Sequence, residues 1–451
     1  MSVAVIILAA GMGSRMKSDK PKVLHQIAGA PMLVHAMRTA EGISAEKTVI
    51  VTGHGAQDVE DVATAYNDTA KFAHQSAQEG TSHAVQQAAI ALQNFSGDVI
   101  VLYGDTPFVQ PETLQSMLDK KREGHGVVVL GFHAADPARY GRLVTSGNGL
   151  LEAIVEYKDA TKEQRKIDFC NSGVVCVDAK LLFSLLGDVT NDNAGAEYYL
   201  TDIVGLARSR GLTCAAIACA EAETMGVNSR ADLAVAEVAF QTRARNLAMD
   251  NGTTLIAAET VWFAYDTIIG RDVIIEPNVV FGPDVTIENN ATIRAFSHLE
   301  GCHVSQNAIV GPYARLRPGA ELANGAKVGN FVEIKAAQIG EGAKVNHLSY
   351  IGDTDVGSEA NIGAGTITCN YDGVFKHKTE IGKRAFIGSN TMLIAPVSVG
   401  DDAMTASGSV VTADVPDGAL ALGRARQENK PGFALRLMNK LRAAKVATNK
   451  D

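Results

Sequence analysis

Residues 269 to 293 read IGRDVIIEPNVVFGPDVTIENNATI, which places Ile269, Ile275, Phe281, Ile287 and Ile293 at every sixth position. The same spacing returns at Val310, Leu316, Leu322, Val328 and Ile334, and again at Ile381, Ile387, Leu393 and Val399. A helix repeats its buried face every 3.6 residues and a strand every two, so a period of six fits neither. It predicts a parallel β-helix of hexapeptides, each hexad one short strand and a turn, with the stacked aliphatics filling the interior. Three hexads close a coil, so the run to Val411 predicts roughly eight coils. The register slips between Ile293 and Val310, between Ile334 and Val356, and from Thr368 to Ile381. Slips of this kind map to loops, where sites are built on a rigid frame. A purely architectural solenoid, a spacer or an oligomerisation post, is the alternative reading. Periodicity alone fixes neither handedness nor oligomeric state.

The chain has 451 residues, 46% hydrophobic and 20% charged, enough for two or three domains with real cores. A net charge of -9 and a pI near 5.7 argue against nucleic acid as a partner, because neutralising phosphates needs a basic surface. The basic C-terminal stretch, with Arg424, Arg426, Lys430, Arg436, Lys440, Arg442 and Lys445, reads as a solvated terminal helix or frayed tail. Six cysteines without metal-type spacing, and no secretion signal, predict reduced thiols and a cytoplasmic protein. The apolar opening Val3 to Ala10 lacks a charged region before it and runs into a Gly-rich loop, so it reads as a buried first strand. No apolar run is long enough to span a bilayer.

Apolar runs at Val3–Leu8, Thr48–Val51, Val99–Tyr103 and Val127–Leu130 alternate with helical segments starting near Pro31, Gln57, Thr81 and Pro111. That alternation predicts a doubly wound, mainly parallel α/β sheet of Rossmann-like type, whose ligands bind beyond the carboxyl ends of the strands. The first such loop is Leu8-Ala9-Ala10-Gly11-Met12-Gly13-Ser14-Arg15-Met16, with Pro21-Lys22 soon after. Small residues let backbone N–H groups approach phosphate, while Arg15 and Lys22 supply charge for a polyphosphate. The third Gly of a dinucleotide fingerprint and the Gly-Lys-Ser/Thr of a P-loop are both missing. A later strand ends in Tyr103-Gly104-Asp105-Thr106-Pro107, where Asp105 suits a magnesium ion or, equally, a turn cap.

Leu8-Ala9-Ala10-Gly-x-Gly-Ser-Arg-Met followed by Pro21-Lys22-Val23-Leu24 resembles the sugar-nucleotide pyrophosphorylase signature, with Ser14 where Thr is usual. Gln75, Gly80-Thr81, Tyr103-Gly104-Asp105, Tyr140-Gly141-Arg142, Glu156, Asn171 and Gly226-Val227-Asn228 follow in the family's order. Joined to a hexapeptide half, nearly the whole chain resembles the bacterial bifunctional UDP-N-acetylglucosamine pyrophosphorylases and glucosamine-1-phosphate N-acetyltransferases. The resemblance implies that Leu8, Ala9, Ala10 and Gly11 belong to the nucleotide and sugar site, with Gly11 to Gly13 holding phosphates. It implies Gln75, Gly80 and Thr81 for uracil, Tyr103 and Gly104 beside the nucleotide, and Gly141, Glu156 and Asn171 for the sugar. Asp105 and Asn228 would hold Mg2+, and the sugar phosphate would attack the α-phosphorus of UTP while Arg15 and Lys22 stabilise the pyrophosphate.

In the second half, Arg315, Arg317, Asn330, Lys335, Asn346-His347, Tyr350, Asn361 and Asn370-Tyr371-Asp372 gather where the hexads slip. A lone His is by default a packing or capping residue, but Arg317 and Lys335 can bind a sugar phosphate beside a base able to take an amine proton. The family's Gly-His-Leu-x-Tyr stands here as Asn346-His347-Leu348-Ser349-Tyr350. The resemblance implies an acetyltransferase using acetyl-CoA, with His347 as general base and Tyr350 and Asn361 orienting the sugar. Ala364, Asn370, Tyr371, Ser389, Ser407 and Arg424 would contact coenzyme A, Ser407 standing where Ala is usual. It also implies left-handed winding and a homotrimer. Domains are expected at 1–230 (pyrophosphorylase) and 251–451 (hexapeptide repeats), joined by a linker helix at 231–250 rich in helix formers. Two alternatives stay open: a single-activity nucleotidyltransferase with a regulatory or oligomerising solenoid, and a non-catalytic scaffold.

Overall fold

The computed structural model describes residues 2–138, 140–193 and 195–448. The chain divides into two compact units: residues through Leu247 together with Trp262–Asp266, and Ala248–Val261 together with residues from Thr267 on.

The first unit is a mixed sheet flanked by helices. Its main strand order is Cys214–Cys219, Val127–His133, Phe169–Asp178, Asp98–Tyr103, Val3–Leu8, Lys47–Thr52 and Lys71–His74. Neighbours run parallel except Phe169–Asp178, which is antiparallel to both strands beside it. Central strands are covered on both faces and therefore read as continuous apolar runs. Ile6, Val49 and Val99 point into one core with Val85, Leu182 and Ile203. Ile7, Ile50 and Ile100 point into the other with Leu33, Met37 and Leu114. The helices Met32–Gly42, Ala56–Tyr66, Thr81–Gln87 and Pro111–Arg122 start within a residue or so of the expected points. The sequence reading missed Phe169–Asp178, because Asn171-Ser172-Gly173 interrupts its apolar pattern. In the structure that interruption is a bulge against Val127–His133.

In the second unit short strands stack into three ladders. One ladder holds ten strands, from Thr254–Leu255 to Leu420–Ala421, so there are more coils than the eight counted between Ile269 and Val411. The coils at both ends lack the aliphatic spacing that was counted. Ile275, Ile287, Ile293, Val310, Leu316, Leu322, Val328, Ile334, Ile387, Leu393 and Val399 are buried, with Ala291, Ala308, Ala326, Ala343, Ala360, Ala385 and Ala403 beside them. Most ladder partners lie seventeen or eighteen residues apart, as in Ile274 with Thr292, Thr292 with Ile309 and Ile309 with Lys327. Of the three slips, the first only shortens a coil by one residue and the second runs through the continuous strands Glu333–Ile339 and Tyr350–Val356. The third is a true insertion: Asn361 pairs with Phe386, and the surplus chain projects as the 370–378 loop. All six cysteines are free. Phe433–Thr448 forms the basic terminal helix.

The helix Arg230–Asp250 is more than a connector. Ala236 and Phe240 pack with Ile27, Met32, Phe108 and Val227, and Gln241 exchanges hydrogen bonds of 2.8 Å with the main chain of Phe263. A fragment ending at Arg230 should therefore melt about 10 °C or more below one ending at Asp266, as several kcal/mol of apolar burial are lost and each moves such a unit by about 2–4 °C. Equal melting curves for the two fragments would show that the helix adds nothing to the first core.

Candidate functional sites

The first site lies where the parallel strands end. A cavity of about 320 Å3 is lined by Leu8, Ala9, Ala10, Gly11, Lys22, Val23, Gln75, Gln78, Gly80, Thr81, Ala84, Tyr103, Asp105 and Glu197. Leu8 and Tyr103 are register partners on adjacent strands, so the Gly-rich loop and the Asp105 turn leave the sheet side by side. Gly13 has φ +63°, and a Cβ there would lie 2.6 Å from the Lys22 Cβ. Glycine at this point lets the loop close against the Lys22 stem.

Lys22 donates to the Asp105 carboxylate and, at 3.1 Å, to Asn228 Oδ1. Three distant segments thus converge on one ammonium group. The Val227 N–H donates to the Asp105 carbonyl at 2.9 Å. Asp232 accepts from the N–H groups of Asn228 and Ser229, fixing Asn228 at the start of the Arg230–Asp250 helix. Tyr103 is half-buried at the cavity wall, and burial followed by the charges of Asp105 and Glu156 pushes its hydroxyl up. Beyond it, the Gly141 carbonyl accepts from Asn171 N–H at 2.9 Å, and a Cβ on Gly141 would stand 3.4 Å from Glu156 Oε1. Burial raises the Glu156 carboxyl above its ordinary value, against a hydrogen bond from Thr201.

Of the residues expected here, Leu8, Ala9, Ala10, Gly11, Lys22, Gln75, Gly80, Thr81, Tyr103 and Asp105 line the cavity, and Asn228 meets it through Lys22. Gly104 lies behind the wall against Val23. Arg15 stands exposed in the Ser14–Met16 turn and does not line it. Gln78 and Glu197 were not foreseen. Gln78 donates to the Ala10 carbonyl at 2.8 Å, and its place between Gln75 and Gly80 was the available signal. Glu197 is brought in from far along the chain by main-chain bonds of Tyr198 to Glu79 and Ser82, for which no local signal exists.

The second site follows one corner of the solenoid. Corner N–H groups bond down the stack: Leu348 to the Asn330 carbonyl, Gly365 to His347, Asn390 to Ala364 and Gly408 to Ser389. Asn330, His347, Ala364, Ser389 and Ser407, each just before its corner residue, therefore form one column. Arg424 lies beside Gly408 at the column's far end. The His347 Nδ1 faces Asn330 Oδ1 at 2.8 Å. A carbonyl oxygen accepts, so this contact calls for the proton on Nδ1, the tautomer whose neutral ring has its lone pair on Nε2.

On the adjoining face Arg317 pairs with Glu333 at 2.8 Å and Lys335 with Asp353 at 2.9 Å. Those bonds hold both cations above their ordinary values. Burial works to raise the Asp353 carboxyl, and hydrogen bonds from Lys335 and Asn370 overcome it. Asn370 also meets the Tyr350 hydroxyl at 3.5 Å. Tyr371 projects from the inserted loop, which Asp372 organises by accepting from the Val374 and Phe375 N–H groups and pairing with His377. Asn361 opens the next strand on another face and is not bonded into this cluster.

Comparison with known proteins bears on both halves. A MobA-like NTP transferase domain matches residues 5–171, a bacterial transferase hexapeptide (six repeats) residues 266–301, and a hexapeptide repeat of succinyl-transferase residues 378–413. Curated proteins named bifunctional protein GlmU are 62% identical in Ruegeria sp. (strain TM1040) and 63% in Ruegeria pomeroyi, each over 100% of both chains. The relative of that name from Jannaschia sp. (strain CCS1) is 61% identical over 100% of this chain and 98% of its own. The chain belongs to the bifunctional GlmU family. It is an enzyme with a nucleotidyltransferase unit and a hexapeptide transferase unit. A solved UDP-glucose pyrophosphorylase complexed with UDP-glucose covers 54% of this chain and 100% of its own at TM-score 0.43 and 18% identity, too loose a likeness for argument. Among the described residues no helix is long and apolar enough to cross a membrane.

The Asn330 contact gives a direct test of the second geometry. Asn330→Ala should free the His347 ring so that both tautomers populate, visible in its 15N shifts, with the melting temperature unchanged. A ring that keeps its proton on Nδ1 without Asn330 would show that something else sets the tautomer.

Proposed function

We propose that the hexapeptide unit acetylates glucosamine 1-phosphate with acetyl-CoA, and that the α/β unit then transfers UMP from UTP to the resulting N-acetylglucosamine 1-phosphate, releasing pyrophosphate. One observation carries this reading: a chain aligned end to end with bifunctional relatives holds a cavity at the strand ends with Lys22 in its wall in one unit, and an imidazole bonded to Asn330 with two paired cations on the adjoining face in the other.

For uridylyl transfer no covalent enzyme intermediate is needed. Backbone at Leu8 to Gly11 would cradle the phosphates, while Gln75, Gly80 and Thr81 would face the base. Gly141, Glu156 and Asn171 would hold the sugar so that its phosphate oxygen meets the α-phosphorus in line with the departing pyrophosphate. Lys22, joined by Arg15 from the exposed turn, would neutralise charge on that leaving group. The Lys22 ammonium between Asp105 and Asn228 shows that two protein oxygens converge on a cationic position. Among the described residues no three His, Cys, Asp or Glu side chains cluster as a metal cage. That donor set suits magnesium, which takes one or two protein carboxylates and fills its shell with water and phosphate. Bound by Asp105 and Asn228, it would polarise the phosphates.

For acetyl transfer, His347 Nε2 would take a proton from the amine as the nitrogen attacks the thioester carbonyl. The C–S bond then breaks and coenzyme A leaves as the thiol, taking the proton from the His347 imidazolium. Arg317 and Lys335 would hold the sugar phosphate, and Tyr350 and Asn361 would orient the ring. Ala364, Asn370, Tyr371, Ser389, Ser407 and Arg424 would line the coenzyme A path. We place the protein in the cytoplasm, with small molecules as its substrates.

The reading includes a homotrimer. Phe296, Tyr313, Phe331 and Leu348 line one corner at φ of 60°, 56°, 56° and 53°, with 50%, 47%, 56% and 61% of their surfaces exposed. The rings stack at 4.9 and 5.2 Å. Bulky residues rarely adopt positive φ, and an apolar column there is best satisfied by covering in an assembly.

Thiol release and pyrophosphate release, followed separately with all substrates present, test the division of labour. Asp105→Ala should lower pyrophosphate release by about 100-fold or more and leave thiol release unchanged. His347→Ala should lower thiol release by about two to four orders of magnitude and spare pyrophosphate release from supplied N-acetylglucosamine 1-phosphate. Near-normal turnover in either variant would sink that residue's role. For the assembly, Phe331→Asp should shift the light-scattering mass from trimer towards monomer; an unchanged mass would put the interface elsewhere.

A further inference from the structure

Among the described residues Arg142 is the largest fully buried side chain, at 1% exposed. Among the described residues, its hydrogen bonds all go to main-chain carbonyls. One terminal nitrogen donates to Pro137 at 3.2 Å and to Tyr140, the other to Ala138 at 3.2 Å and to Arg165 at 3.4 Å. Among the described residues its Nε has no hydrogen-bond partner. The guanidinium also lies 5.8 Å from the Tyr157 ring, whose centre is 4.5 Å from the Arg165 guanidinium.

Enclosing a guanidinium without a paired carboxylate is costly, and an apolar side chain of similar length would fill the space without that cost. What arginine adds is a rigid planar fork able to gather several acceptors at once. Its acceptors come from two separate loops. The 137–140 segment leads straight into Gly141, and the segment from Tyr157 to Arg165 leaves Glu156. Between them stand Gly141, Glu156 and Asn171, with Gly141 bonded to Asn171 at 2.9 Å. Arg142 itself pairs through its strand with Cys170 and Val155, so its backbone is fixed on both sides.

We propose that Arg142 is a positioning residue that sets the sugar pocket of the nucleotidyltransferase unit. By tying both loops to one guanidinium it holds Gly141 and Glu156 at a fixed separation from Asn171, without touching substrate. The inference rests on the uridylyl-transfer reading and concerns the sugar side alone, since the UTP-facing residues Leu8 to Gly11, Gln75 and Thr81 belong to other segments.

Arg142→Met and Arg142→Lys in the full chain test it, with KM measured separately for N-acetylglucosamine 1-phosphate and UTP. Arg142→Met should raise the sugar-phosphate KM by about tenfold or more and leave the UTP KM within about threefold, because displacing a positioned group by about an ångström carries a penalty of that order. Arg142→Lys, which keeps one ammonium for a subset of the carbonyls, should fall in between. Acetyl transfer, in the other unit, should not change. A merely architectural arginine would lower the melting temperature and the active fraction while leaving both KM values alone. Should Arg142→Met fail to fold, Tyr157→Leu decides: it loosens the same loop without stranding a buried charge and should raise the sugar-phosphate KM selectively. A folded variant whose two KM values move together, or not at all, overturns the inference. Wild-type protein that released no pyrophosphate would instead remove the reading beneath it, so the two failures are distinguishable.

Discussion

The hydrogen bond from each corner N–H of the solenoid to the carbonyl one coil below is the constraint on which the second unit depends. It forces every coil to turn at the same place, so side chains just before the corner stack in a column whatever their chemistry. Asn330, His347, Ala364, Ser389 and Ser407 share that column for this reason alone. The corner conformation is left-handed, which suits Asn and Asp at Asn278, Asp284, Asn290 and Asn307 and strains Phe296, Tyr313 and Phe331. Strained, exposed rings on the same corner as the proposed base are what an interface beside a catalytic groove requires.

The first unit reaches the same end by different means. Its parallel strands fix only where loops begin, and the loops must then be tied to one another. Lys22 ties the segments of Asp105 and Asn228, main-chain bonds of Tyr198 bring in Glu197, and Arg142 gathers the 137–140 and 157–165 segments. Each tie uses a group that costs free energy to enclose, and each lies next to residues proposed to meet substrate. Rigid frames need few such ties; loop-built sites need many.

What was legible in the sequence follows this difference. Hexad spacing revealed the solenoid because every coil repeats the same aliphatic demand, and His347 stood out because the pattern fails around it. The insertion at 370–378 was legible for the same reason. The other two slips were misjudged as loops because a coil can lose one residue at a corner without opening. The coils around Thr366, Thr368, Thr391 and Thr405 were also opaque: their buried hydroxyls bond to main chain, as Thr391 does to the Gly388 carbonyl at 2.6 Å, so a polar residue there fills an interior position. In the first unit Lys22 and Asp105 were legible from strand-end motifs and Arg142 from the Tyr140-Gly141-Arg142 motif, whereas Glu197 and the reach of Arg142 to Arg165 depend on contacts that no local pattern encodes. Phe169–Asp178 was lost for a related reason, since the bulge that begins at Asn171 is also what breaks the strand's apolar run.

Charge compensation links the two proposed chemistries. In each unit the groups meant for phosphate are already engaged by acids: Lys22 by Asp105, Arg317 by Glu333 and Lys335 by Asp353. An unpaired cation in a half-enclosed site would sample many rotamers and would have to be ordered by substrate, at a cost in side-chain entropy. Pairing it with a carboxylate holds the ammonium or guanidinium near its working position in advance. The partner must then yield or share when phosphate arrives, which favours dianionic phosphates over singly charged ligands that cannot displace a carboxylate. Sugar phosphates and nucleoside triphosphates meet that requirement in both units, and neutral sugars do not.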